Sequence, residues 1–314
     1  MRRIGENVRC RASVVLTAAL FTAGVVGCGS QDPSAAPPPT QTQTHNTDAR
    51  QLQQAHDALA RWDAAVTASG GLPAFVPVGD QTGQIGTWEP DASDDKSALG
   101  AGKIVATVAM PNAPTATAQV RWQDGVTRSV PTISAAQALA NLVADAAGGS
   151  CGACLPLQVT GAQLTTADAQ TNRGFATVPI WEYTLRGTAV RVTRIAVAAS
   201  ATVTVTPPPW ASNDPPSGLS IDSASTKVGT RQLTVTFIGA PDPANKPCGA
   251  DYTATAVESA NAVVVILTEH PHSSGEICAA VGARRTTIAE LASPLGSRAV
   301  LEVRQGLPVP VTDM

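Results

Sequence analysis

FATVPIWEYTLRGTAVRVTRIAV, residues 175–197, holds two apolar-alternating runs, Phe175 to Leu185 and Thr188 to Val197, joined at Arg186-Gly187. A period of two marks half-buried strands, and a glycine at the junction supplies the backbone freedom of a tight turn. The stretch predicts a β-hairpin with Val178, Ile180, Val190, Val192 and Ile195 among its apolar positions. Alternation sets Trp181 and Tyr183 on one face, with Glu182 opposite. If that face is open, the two aromatics form a surface pair suited to carbohydrate or peptide contact; if helices cover it, both are core. The pair is the candidate surface-binding site that the strand pattern offers.

Upstream, Leu52, Ala55, Leu59, Trp62 and Val66 recur at steps of three and four, the face of a helix that Gly70-Gly71 ends. Thr115 to Trp122 and Val126 to Val130 flank Asp124-Gly125, a hairpin signal. A second helix spans Ser134 to Ala147, opened by a Ser134/Gln137 capping box and turning Leu139, Leu142 and Val143 one way. Downstream, residues 206–218, TPPPWASNDPPSG, contain five prolines and no periodicity, which marks a boundary. Beyond it Leu233, Val235 and Phe237 alternate with threonines, Tyr252 to Glu258 and Ala262 to Thr268 flank a turn at Ser259-Ala260-Asn261, and Thr286 to Leu291 and Ala299 to Val303 follow. The expected fold is α+β: two helices on an antiparallel sheet over 48–205, a proline-rich linker over 206–217, and a small all-β, sandwich-like domain over 218–314.

The N-terminus carries a different signal. Arg2, Arg3, Arg9 and Arg11 precede an uncharged apolar run from Ala12 to Val26, too short for a comfortable transmembrane helix, which needs roughly 20 apolar residues. Val25-Val26-Gly27-Cys28 then resembles the lipobox of bacterial lipoproteins. The resemblance implies a signal peptide over 1–27, cleavage after Gly27, and a diacylglycerol on the thiol of Cys28. Residues 28–47, with a triple proline at 37–39 and a Thr/Gln repeat, read as a disordered tether. CGACLPLQVTGAQLTT, VPIWEYTLRGT and RAVLEVRQGLPVPV resemble exported lipoproteins of high-GC Gram-positive bacteria. That likeness implies location and architecture and carries over no activity. The whole chain has 21 basic and 24 acidic side chains. Without the signal's four arginines and Glu6 the balance falls to about −6, which argues against a nucleic-acid partner.

Four cysteines remain after Cys10 leaves with the signal and Cys28 is lipidated: Cys151, Cys154, Cys248 and Cys278. An even number in an exported chain predicts two disulfides, with three connectivities open. Cys151–Cys154 and Cys248–Cys278 are expected, because the strands near Cys248 and Cys278 are proposed neighbours. A redox role for Cys151-Gly-Ala-Cys154 would want a helix starting at the first cysteine, whereas here a helix precedes the motif. Glu269-His270-Pro271-His272 with Glu276 holds metal-ligand types, but Pro271 and Ser273-Ser274-Gly275 read as a polar loop. Ser93-Asp-Asp-Lys96 lacks the Lys-Thr-Gly partner of penicillin-binding proteins. No catalytic residue, metal ligand or cofactor site is assigned. The expected function is a lipid-anchored, extracytoplasmic membrane protein that binds an envelope ligand or protein without catalysis. The alternatives are a hydrolase or other enzyme acting on envelope polymers, and a thiol-disulfide protein working through Cys151 and Cys154.

Overall fold

The structure is a computed structural model that describes residues 41–71, 75–113, 117–146, 149–210, 213 and 215–313, with backbone alone for 41–48 and 313. The expected signal peptide, Cys28 and the expected tether up to Thr40 lie outside the described residues. Along the chain run α1 (Gln41–Ala68), β1 (Thr82–Ile85), α2 (Ser93–Gly100), β2 (Ile104–Ala106), β3 (Ala118–Trp122), β4 (Thr127–Val130) and α3 (Ala135–Asp145). Then come β5 (Leu157–Thr171), β6 (Gly174–Leu185), β7 (Arg191–Ile195), β8 (Ser223–Thr226), β9 (Gln232–Gly239), β10 (Ala250–Glu258), β11 (Ala262–Pro271), β12 (Ala283–Glu290), β13 (Ala299–Glu302) and β14 (Val311–Asp313). Helices and strands are thus mixed, as in an α+β fold. Residues from Thr42 onward form one compact unit; Met1–Gln41 separate from it.

The β6–β7 hairpin is the centre of a seven-stranded sheet. One edge of β6 pairs with β5 from Val159↔Leu185 to Thr171↔Gly174. The other edge is shared, with β7 along the C-terminal part and β3 at Ala176 and Thr177. β1 extends β7, β4 extends β3 and β2 extends β5. The expected antiparallel sheet needs correction on this point: β2 runs parallel to β5.

Alternation along β6 works as the pattern requires, but neither face is open. Val178 and Ile180 pack with Val120, Trp122, Val130 and Phe75 on one side. Trp181, Tyr183 and Leu185 pack on the other with Leu139 and Leu142 of α3 and Ala98 of α2. Trp181 and Tyr183 are therefore core and not a surface-binding pair, being 3% and 0% exposed. Their polar tips are satisfied as buried aromatics require: Trp181 Nε1 donates to Ile133 O at 2.9 Å and Tyr183 OH to Ala135 O at 2.7 Å. Burial pushes the Tyr183 phenol well above its ordinary pKa, opposed by the charge of Arg194. Arg194, itself buried, bridges α3 and β1 through Asp145 and Thr82. Ser134 caps α3 by accepting from Gln137 N at 3.1 Å, while the Gln137 side chain turns to Asn141 instead of closing the box.

The largest departure from expectation concerns α1. It does not cover the seven-stranded sheet. Ala55, Ala58, Leu59, Trp62 and Val66 pack on Val264 and Ile266 of β11 and on Leu301 of β13, in the C-terminal half. β11 reads Ala-Val-Val-Val-Ile-Leu because it is buried on both faces: Val263, Val265 and Leu267 look the other way, onto Leu233, Val235 and Phe237 of β9. The three-stranded sheet β10-β11-β13 thus lies between α1 and the four-stranded sheet β12-β9-β8-β14. Asp63 of α1 accepts from Asn261 Nδ2 at 2.9 Å and Ser259 Oγ at 3.2 Å in the β10–β11 turn. Gly306 lets the loop after β13 close on the helix; it holds φ +72°, and a Cβ there would stand 2.8 Å from Ala58 Cβ. The helix also starts earlier than the tether reading allowed. Residues 41–47 are helical, because the last breaker upstream is Pro39.

Both disulfides pair as expected, Cys151 with Cys154 and Cys248 with Cys278. The second closes a 30-residue separation and ties the β9–β10 and β11–β12 loops together. Replacing Cys248 and Cys278 by alanine is expected to cost about 3.5 kcal/mol in the chain-entropy account. The Cys151/Cys154 pair, closing three residues, should cost less. Urea unfolding of the two double variants checks this; equal losses would contradict it.

Candidate ligand-binding cleft

Five turns and edges from both halves of the chain surround a cleft of about 760 Å³. The β3–β4 turn brings Gln123 and Asp124, the β5–β6 turn Asn172 to Gly174, the β8–β9 turn Thr226 to Gly229, and the loop before β13 Pro294 to Gly296 with Arg298; β14 closes the wall with Val311 and Thr312.

The β5–β6 turn is built around one hydroxyl. Thr171 Oγ1 accepts from Trp122 Nε1 and from Arg173 N, each at 3.1 Å, and donates to Gly174 O at 2.7 Å. Arg173 is thereby held beside the cleft, its guanidinium 2.6 Å from Asp124 and 5.4 Å from the Trp122 ring centroid. Arg298 organises the opposite loop. It donates to the carbonyls of Leu295, Pro294 and Ser293 and pairs with Glu258. Lys227 differs from both arginines, because its ammonium group has no partner among the described residues. The lining carries three cations and one carboxylate, Asp124, and that carboxylate is already neutralised by Arg173. Asn172 adds an unsatisfied acceptor: it is 4% exposed, and its buried Oδ1 receives no hydrogen bond. A buried carbonyl without a donor carries a desolvation cost of about 1–3 kcal/mol. Val228, Leu295 and Val311 supply apolar wall. The arrangement suits a small anion.

The residues singled out by sequence sit elsewhere. Cys28 lies outside the described residues, and Trp181 and Tyr183 are in the core. Lys103 Nζ donates to Cys151 O at 2.6 Å, which fixes the Cys151–Cys154 loop between α3 and β5. Of the Glu269–Glu276 stretch only His272 and Glu276 come together, Nε2 standing 3.8 Å from a carboxylate oxygen, and the side chains of Glu269 and His270 bond elsewhere. Tyr252 OH donates to Glu269, His270 bonds Thr253, His272 Nδ1 bonds Ala244 O, and Glu276 accepts from Cys248 N. Among the described residues the one group with metal-like spacing is Cys248, Glu276 and Cys278, and its two sulfurs are joined to each other. A second cleft of about 520 Å³ lies there, but its carboxylates are engaged: Asp242 with Lys246, Glu269 and Glu276 as above. Sequence reading missed Asn172, Arg173, Lys227 and Arg298 because the three turns and loops that carry them lie far apart in sequence. The available signals were slight: a Thr-Asn-Arg-Gly turn, and a lysine in a chain with only four.

Glu258 makes the cleft loop depend on pH. Burial works to raise its carboxyl pKa, but the hydrogen bond from Ala292 N–H and the Arg298 guanidinium outweigh it, so the net shift is downward. A carboxylate with a folded-state pKa below its unfolded value, about 4.3, stabilises fully above that value and loses its contribution as pH falls through the folded-state pKa. Glu258→Gln should therefore be less stable than the parent at pH 7 and equally stable once the pH is below both values. Urea melts at neutral and strongly acidic pH measure the gap, and a gap unchanged by acid would refute this role. Comparison of the chain with protein-family models, with curated proteins and with solved structures finds no match.

Proposed function

We propose that this chain is a lipid-anchored protein of the extracytoplasmic membrane face, a non-catalytic module that binds a small anionic envelope ligand such as an acidic sugar. The observation that carries the reading is the cleft between the two halves, with three cations and one neutralised carboxylate. Arg173 and Arg298 are locked by their own partners and shape the walls. Lys227, exposed and without a partner among the described residues, supplies the charge that meets the ligand. The anchor rests on Val25-Val26-Gly27-Cys28, and two or more acyl chains make such attachment stable. The architecture proposed with it is an α+β part built on the β6 sheet and a sandwich-like part built on β9 and β11.

Binding only to the native state raises stability by about 2.7 kcal/mol at a ligand concentration of 100 Kd. A uronic-acid oligosaccharide should therefore raise the thermal midpoint by about 5 °C or more, and a neutral oligosaccharide of the same length should not. Lys227→Ala should abolish the shift. Equal shifts from the acidic and neutral sugars, or an undiminished shift in Lys227→Ala, would overturn the assignment of the cleft. The anchor has its own test. Cys28→Ala should leave the precursor uncut at Gly27 and no longer labelled by radioactive palmitate; continued labelling would refute it.

A further inference from the structure

The polar side of α1 carries a second, shallower site. Arg50, Gln54, Asp57 and Arg61 follow one another at i, i+4, i+7 and i+11, so they form a single stripe along the helix. The two arginines lie about 16 Å apart at the helical rise. Arg304, from the loop after β13, joins them, and the proline-rich stretch crosses beside the stripe with Pro208, Pro209, Trp210 and Pro216. Ser217 donates to Gln54, which pins that stretch to the helix. Within the stretch expected as a proline-rich linker, Pro208, Pro209, Pro216 and Ser217 thus lie along α1, and Trp210 stands beside three arginines. Asp57 is the one carboxylate in the group, and it accepts from Gln53 Nε2 at 2.9 Å. The guanidinium groups of Arg61 and Arg304 have no partner among the described residues. Trp210 is 51% exposed, whereas the other four tryptophans are at most 8% exposed.

We infer that this face rests on the anchoring membrane and binds the phosphate groups of anionic phospholipids, with Trp210 seated at the headgroup level. The inference rests on the lipid anchor proposed above. Thirteen residue steps separate Cys28 from the first residue of α1, at most about 45 Å of chain, so the helix stays close to the bilayer that holds the anchor. A basic side chain near an anionic membrane surface contributes about 1 kcal/mol, and tryptophan favours the interface, apolar on one side and wet on the other. Three arginines against one carboxylate stand out in a chain whose net charge is −3. The face would fix how the protein stands on the membrane, which the acyl chains alone leave free to rotate.

The tryptophans provide the readout. Full-length lipidated protein is reconstituted into vesicles of phosphatidylcholine with brominated acyl chains, with or without 30 mol% phosphatidylglycerol, and floated on a density gradient. In floated protein, bromine should quench about a fifth of the tryptophan emission in the phosphatidylglycerol vesicles, the share of one residue in five. The quenched fraction should vanish in Trp210→Phe. It should fall at least twofold in neutral vesicles and in the Arg61→Gln, Arg304→Gln double variant. Protein that floats but is not quenched, or is quenched equally in neutral vesicles or in the arginine variant, overturns this inference and leaves the anchor standing. Protein that does not float overturns the anchor and this face together.

Discussion

The structure depends on where a single helix spends its apolar face. α1 is first in the described chain, yet it buries Leu59, Trp62 and Val66 against Val264, Ile266 and Leu301, some 200 residues downstream. Each such side chain contributes about 2 kcal/mol when removed from water. Without α1 one face of β10-β11-β13 would lie open, because the four-stranded sheet covers only the other. The helix therefore completes the core of the C-terminal half while its chain leads on into the first sheet. Asp63, Gly306 and the proline-rich stretch add polar and steric fixings around the same contact.

That arrangement makes the junction between the halves a constructed place. The turns at Asp124, Arg173, Lys227 and Arg298 are aligned by three sheets at once, and the cleft exists only where those sheets are held in register with each other. Arg173 and Arg298 each serve structure first, one bridging the β3–β4 and β5–β6 turns and the other collecting three carbonyls of its loop. Their charge remains in the cleft even though their hydrogen bonds are used. Lys227 is the group left over. The cost is concentrated at Asn172, whose carbonyl is buried without a donor.

Sequence reading recovered what local patterns encode. The β6–β7 hairpin, the Asp124-Gly125 turn, the Ser134 cap and the β10–β11 pair all have their physics within a few residues. It missed most of β5, because Gly161-Ala-Gln-Leu-Thr-Thr-Ala-Asp-Ala-Gln-Thr has little hydrophobic contrast and takes its strand form from pairing with β6. It missed β8 and β14, three to four residues long and paired in parallel across nearly the length of the C-terminal half. The amphipathic face of α1 was legible, but a helical face states that a partner is needed and not which one. Trp181 and Tyr183 show the same gap in a strand: alternation gives the face, and only the tertiary fold says what lies over it. The cleft was the least legible feature, since no short window contains two of its charges.

The claim that α1 belongs to the C-terminal core is open to one direct measurement. Trp62→Ala removes the largest side chain of that contact, a change that typically costs about 3–5 kcal/mol. Native-state hydrogen exchange resolved along the chain should then show the amides of β11 losing protection by an amount of that order, at least as much as those of β6. Unchanged protection in β11, with the loss confined to β5 and β6, would place the helix on the first sheet and contradict the account.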